Sequence, residues 1–303
     1  MTSRALLVVL SAVAVAAVLV SCSPEPPAQG PACSPAQPPA DGTSEHRINS
    51  QGSERSYLLH VPPGYDGRTR LPVIFLFHGV GDTARNLLEA TGMDELADDE
   101  DVVVVAPEGS GAVPAWSFQA TSDDPPPDVA FVHELLDRVK DTACVDERRV
   151  YAAGFSNGST LTLALACEDN RGFAAFGAVS GPFYNPRCDS APPRPIIYFH
   201  GTNDLIIPYS GARTIIGELP GVTEALTEWA THNRCDRPAA TSRVSPQVTL
   251  SRWTGCADGS DVSAYRIADG VHTWPRAAYL DGSDGIRATE LMWGFFSEHA
   301  LLP

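Results

Sequence analysis

Lysine is almost missing from this chain. Lys140 stands alone, and 21 basic residues face 37 acidic ones for a formal charge of −16. A surface with that balance repels phosphate backbones and other polyanions, which argues against nucleic acid as a partner. Also missing is any Cys-x-x-Cys pair or Cys/His cluster at metal-ligand spacing, so no zinc site is expected, and the chemistry read below calls for no metal and no organic cofactor. There is no internal repeat, and no second long hydrophobic run follows the first. That first run, residues 5–20, is apolar except for Ser11. It is shorter than the ~20 residues a membrane span needs, and with Arg4 before it reads as a secretory signal. It ends Leu19-Val20-Ser21-Cys22, which resembles a bacterial lipobox, where cleavage leaves Cys22 to carry lipid.

Residues 1–21 are therefore expected to be a lipoprotein-type signal peptide. Residues 22–45, rich in Pro, Ala, Gly and Ser, are expected to be a flexible tether. Residues 46–303 are long enough for one large domain with a full core. The expected location is outside the cytoplasmic membrane, as a monomer whose only membrane contact is the lipid at Cys22. Six further cysteines, Cys33, Cys144, Cys167, Cys188, Cys235 and Cys256, suit an oxidising compartment. They allow 15 connectivities; proximity in sequence favours Cys167 with Cys188 and Cys235 with Cys256, leaving Cys33 for Cys144.

Apolar strand signals at 57–61, 72–77, 102–106, 149–153, 176–180 and 195–199 alternate with helical ones at 86–97, 128–140 and 159–167. Helices at 222–232 and 286–299 flank a last β region at 248–253 and 262–267. Continuous apolar strands alternating with helices imply an α/β fold, a mostly parallel central sheet with helices on both faces. Sheets of that kind place their sites at the carboxyl ends of the strands.

At one such end lies Gly154-Phe155-Ser156-Asn157-Gly158. Strand, glycine-flanked serine and helix make the tight turn that lifts a hydroxyl clear and aims the next N–H, that of Asn157, at a developing oxyanion. A serine nucleophile needs a base and an acid to orient it, here expected in the order serine, acid, histidine. Asp204 follows the strand at 195–199 directly. Of the later histidines, His232 and His299 fall late in helices, and His200 precedes the acid. His272 lies in a loop after a predicted strand and is the candidate base. Val80, between two glycines in the loop after Phe77, is the candidate second oxyanion donor. Trp116 and Trp274 are candidates for lining a substrate cleft.

The segments Tyr57-Leu58-Leu59-His60-Val61-Pro62-Pro63-Gly64, His78-Gly79, Gly154-Phe155-Ser156-Asn157-Gly158, His200-Gly201-Thr202-Asn203-Asp204 and His272-Thr273-Trp274-Pro275 resemble the esterase family of polyhydroxybutyrate depolymerases and feruloyl esterases. The resemblance implies an α/β-hydrolase with a Ser156–Asp204–His272 triad. It also implies hydrolysis of hydroxycinnamoyl or acetyl esters of plant walls, or of polyhydroxybutyrate-type polyesters. Two departures concern pocket shape. Ser159-Thr160-Leu161 stands where such proteins usually have a second glycine and a methionine, and Trp116 is followed by Ser117-Phe118 in place of Asn-Ala. An acyltransferase on the same fold and a catalytically silent surface lipoprotein are the alternative functions.

Overall fold

The computed structural model describes residues 39–117, 126–168, 172–181, 188, 191–214, 217–236, 238–276 and 285–302. Its centre is a ten-stranded sheet. In chain order the strands are β1 (Gly42–Ser50), β2 (Ser53–Val61), β3 (Leu71–Phe77), β4 (Val103–Pro107), β5 (Val145–Phe155), β6 (Ala175–Val179), β7 (Ile196–Gly201), β10 (Ala240–Arg243), β11 (Val248–Trp253) and β12 (Val262–Ile267). A separate two-stranded ribbon is formed by β8 (Ala212–Thr214) and β9 (Gly217–Leu219). Across the large sheet the order is β1-β2-β4-β3-β5-β6-β7-β12-β11-β10. The pairings from β4 through β3, β5, β6 and β7 to β12 are parallel, and both edges are antiparallel.

The α-helices are α1 (Ala84–Thr91), α2 (Met93–Glu100), α3 (Pro127–Thr142), α4 (Asn157–Glu168), α5 (Val222–His232) and α6 (Ala288–Ser297). Strand alternation divides the core between the two faces of the sheet. Val73, Phe75 and Phe77 of β3 pack with Phe131 and Leu135 of α3, Leu161 of α4 and Leu226 of α5. Ile74 and Leu76 point the other way, to Leu87 of α1, Leu96 of α2 and Met292 of α6. A strand buried on both faces has no polar side to show, which is why β3 reads as an unbroken apolar run.

Strands β8, β9 and β10 have no counterpart in the sequence reading, and three further features depart from it. The first is β1, whose polar stretch GTSEHRINS begins at Gly42, inside the segment expected to be tether. A hairpin makes it: Gln51 and Gly52 both take positive φ, 50° and 78°, the conformation of a type I′ two-residue turn. The second is the helix expected at 86–97, which is two helices broken at Gly92. There φ is 65° and the backbone N–H bonds Glu89 O, a left-handed stop that glycine permits. Arg276 covers the exposed end, donating to the carbonyls of Glu89 and Ala90 at 3.0 and 3.2 Å. The third is the burial of Trp116 and Trp274.

The cysteines pair as 167–188 and 235–256. Cys144 is oxidised as well, and its expected partner Cys33 lies outside the described residues, as does Cys22.

Candidate active site

The candidate nucleophile sits where β5 turns into α4. Ser156 has φ 54°, a left-handed conformation that costs a non-glycine residue ~1–3 kcal/mol and persists only where neighbours enforce it. The enforcement is steric. A Cβ on Gly154 would lie 2.3 Å from the Gly158 carbonyl oxygen, and one on Gly158 would lie 2.1 Å from that of Phe77. Two backbones pass there with no room for a side chain, and this is what sets the glycine–serine–glycine spacing. The Ser156 N–H donates to Val179 O at 2.9 Å, and its carbonyl accepts from Thr160 N at 3.1 Å. Gly158→Ala would drive a methyl group into the end of β3. It should cost about 3 kcal/mol, read as a lower denaturant midpoint; an unchanged midpoint would mean the elbow has slack.

The other two candidate residues meet because their strands are parallel neighbours. Loops leaving the carboxyl ends of β7 and β12 are stitched together by Asn203 N to Gly270 O and Asp269 N to Thr202 Oγ1, both 2.9 Å. His272 Nδ1 then lies 2.7 Å from Asp204 Oδ2, and His272 Nε2 lies 3.0 Å from Ser156 Oγ. A carboxylate only accepts, so Nδ1 carries the ring hydrogen and Nε2 offers its lone pair to the serine O–H. Phe155 packs on the imidazole, with ring centroids 4.9 Å apart.

The Asp204 side chain is fully buried. Its Oδ1 accepts from the N–H groups of Ile206 and Ile207 at 2.9 and 2.8 Å. Burial pushes its carboxyl up, but hydrogen bonds from His200, His272 and Ile207 outweigh that and hold it well below the usual carboxylate range. A lowered folded value means the stabilisation is complete above the ordinary carboxylate range. It is lost only as pH falls through the depressed value.

The loop after β3 lies against the nucleophile: a Cβ on Gly79 would be 3.3 Å from Ser156 Cβ. Among the described residues no backbone hydrogen bond engages the N–H of Val80 or of Asn157. Val80 itself is exposed. The Asn157 side chain is committed elsewhere, accepting from Trp116 N at 2.7 Å and donating to Trp116 O at 3.2 Å. His78 is buried and braces the same loop. Its Nε2 accepts from Gly109 N at 2.9 Å, so Nδ1 is the donor, to Gly79 O at 2.7 Å.

Both tryptophans proposed for a cleft are buried. Trp116 is 3% exposed and Trp274 7%. The Trp116 indole N–H donates to His78 O at 2.7 Å, with its ring edge-on to Phe77. Trp274 donates to Thr289 Oγ1 at 3.0 Å, inside the core beneath α6. Each indole has found a buried acceptor, and the apolar remainder of each ring packs as core. Trp116 instead supports the loop that carries Val80.

His200 precedes Asp204 in the chain, the wrong order for a base. The structure puts it 3.3 Å from Asp204 Oδ2, buried, at an i,i+4 spacing that the sequence already displayed. Among the described residues no group of three or more His, Cys, Asp or Glu side chains is placed to hold a metal ion.

The model of the Esterase family matches residues 48–262. This chain belongs to the Esterase family. Feruloyl esterase C of Emericella nidulans is 30% identical to it over 259 residues, which span 82% of this chain and 85% of the relative. The bifunctional acetylxylan esterase/xylanase XynS20E of Neocallimastix patriciarum is 27% identical over 253 residues, spanning 82% of this chain and 34% of that larger protein. Among solved structures, an acetyl xylan esterase from Aspergillus awamori matches with a TM-score of 0.65 at 14% identity, over 84% of this chain and 99% of that one. At that identity the likeness shows the fold, an α/β-hydrolase. As an Esterase-family member the chain is a carboxylic-ester hydrolase.

Proposed function

We propose that this esterase works as a serine hydrolase through an acyl-enzyme, with Ser156 as nucleophile, His272 as base and Asp204 as the group that orients it. One observation carries the reading: the line from Ser156 Oγ to His272 Nε2 at 3.0 Å and from Nδ1 to Asp204 Oδ2 at 2.7 Å. His272 takes the hydroxyl proton as Oγ attacks the ester carbonyl. Asp204 stabilises the imidazolium formed, and the N–H groups of Val80 and Asn157 receive the oxyanion. The proton passes to the departing alcohol, and water, activated by the same histidine, releases the acid.

The substrate is an ester of a hydroxycinnamic or acetic acid on plant-wall sugars, or a polyhydroxybutyrate-type polyester. The names of the relatives favour the first. The surface around the triad supports an apolar partner. Val80 beside the oxyanion position, Val113 against its loop, Leu205 and Ile206 next to Asp204, and Val271 next to His272 are all exposed, Leu205 by 84% and Ile206 by 66%. Exposed aliphatic side chains gathered on the loops of one site commonly mark a binding surface. The test compares acid release from methyl ferulate with 3-hydroxybutyrate release from amorphous polyhydroxybutyrate. Turnover of neither substrate, nor of a short p-nitrophenyl ester, would end the reading. Replacing both Leu205 and Ile206 by serine should raise KM for p-nitrophenyl octanoate about 30-fold or more, since burying each side chain contributes on the order of 1–2 kcal/mol. It should leave p-nitrophenyl acetate unaffected, and equal changes for both esters would remove the rim from substrate binding.

Disulfides at 167–188 and 235–256 support an oxidising, extracytoplasmic location. Within that reading residues 1–21 are a signal peptide, and Cys22 carries the lipid that holds the domain at the membrane. Cys22→Ala should move the protein from the membrane pellet to the medium; retention in the pellet would discard the anchor.

A further inference from the structure

His200 is a buried histidine that the three-residue mechanism leaves unused. It stands at the end of β7, 1% exposed. Its Nε2 lies 2.8 Å from Ile207 O and 3.3 Å from Asp204 Oδ2. Both neighbours are pure acceptors, so Nε2 carries a hydrogen and donates it into the turn that holds the acid. The other ring nitrogen, Nδ1, lies 2.9 Å from the Tyr198 hydroxyl, whose single hydrogen has two acceptors within reach, Nδ1 and Gly181 O. Gly181 follows β6 and is pressed against the elbow. A Cβ there would lie 2.8 Å from Ser156 O and 2.4 Å from Ser159 Oγ.

These contacts form a closed loop. It leaves Ser156 through His272 to Asp204, crosses to His200 and Tyr198, and returns through Gly181 to the backbone of Ser156. The loop joins the ends of β5, β6, β7 and β12. Asp204 thus has two histidines on one carboxylate oxygen, one turned toward the serine and one turned away from it. The direction of the Asp204 shift agrees. Once burial has been set against it, the bond from His200 leads the interactions that hold the carboxyl down.

We propose that His200 is a positioning residue for the esterase reaction. It fixes the rotamer of Asp204 and the 204–207 turn, and so fixes the tautomer and direction of His272. The inference rests on the triad reading above. It differs from a packing role because it depends on one donated hydrogen at Nε2. A buried ring of the same size without that hydrogen would fill the space but leave Oδ2 of Asp204 held by His272 alone.

Two substitutions separate the cases. Glutamine places its amide nitrogen near the position of Nε2 and keeps a donor toward Ile207 O and Asp204. Asparagine reaches only the Nδ1 position. His200→Asn should lower kcat on p-nitrophenyl acetate about 10- to 100-fold with KM nearly unchanged, since small misplacements of a catalytic group cost on that order. His200→Gln should recover kcat to within a few-fold of the parent. The low-field proton NMR signal of the hydrogen on His272 Nδ1 should be present in the parent and His200→Gln and shifted or lost in His200→Asn. Tyr198→Phe, which keeps the buried volume and frees Nδ1, should show a smaller fall of the same kind, and it decides the matter if His200→Asn does not fold. Equal kcat in the asparagine and glutamine variants, or an unmoved low-field signal in His200→Asn, would overturn the proposal. In the fallback case, parent kcat in Tyr198→Phe would do the same. Asp204→Asn run alongside keeps the two claims apart: if it retains parent activity, the triad assignment itself is at fault.

Discussion

Ser156→Ala should lower ester turnover by about 10⁴- to 10⁶-fold, the scale seen when the nucleophile of such a unit is removed. The thermal midpoint should stay near that of the parent. The hydroxyl faces His272 at 3.0 Å and Ser156 is only half-buried, so deleting it leaves no orphaned buried acceptor and no large cavity. What holds the left-handed backbone is the fit of Gly154 against Gly158 and of Gly158 against Phe77. None of those contacts involves the serine side chain. Steady-state hydrolysis of p-nitrophenyl acetate beside a melting curve checks both halves. Retained turnover with the fold intact would remove Ser156 from the chemistry.

Asp204→Asn should cost about 10⁴-fold in kcat, and the reason can be read from the hydrogens. The Asp204 carboxylate meets four N–H groups: those of Ile206 and Ile207 at Oδ1, and those of His272 and His200 at Oδ2. An asparagine has one oxygen. If that oxygen keeps the two backbone bonds, its NH₂ group confronts two histidine donors. His272 can then hydrogen-bond only by moving its hydrogen to Nε2, which turns the base into a donor aimed at Ser156. KM for a small ester should change little, because Asp204 is buried away from the mouth of the site. Activity within tenfold of the parent would mean that Asp204 does not orient the base.

The parts of the site that were legible in the sequence are those whose requirements are local or depend on chain order. The elbow is local: its glycines are dictated by backbone collisions within a few residues and with the adjacent strand. Asp204 and His272 were legible because β7 and β12 each announce themselves as strands and each candidate follows directly. The parallel pairing of those strands then supplies the contact. What stayed hidden depends on packing at long range. The burial of Trp116 and Trp274 is decided by two acceptors, His78 O and Thr289 Oγ1, 38 and 15 residues away in the chain. Nothing in the neighbouring sequence distinguishes that outcome from a cleft. Strand β1 carries no apolar alternation, and its place is set by the Gln51-Gly52 turn. For His200, chain order bears only on which histidine is the base and says nothing of what holds the acid.

The most direct test of the account is the mass of the protein after reaction with a p-nitrophenyl phosphonate ester, followed by peptide mapping. A triad with an activated serine predicts one phosphonate per chain, on the peptide carrying Ser156, and no label in Ser156→Ala. A parent that takes up no label, or takes it up on another residue, would contradict the account at its centre.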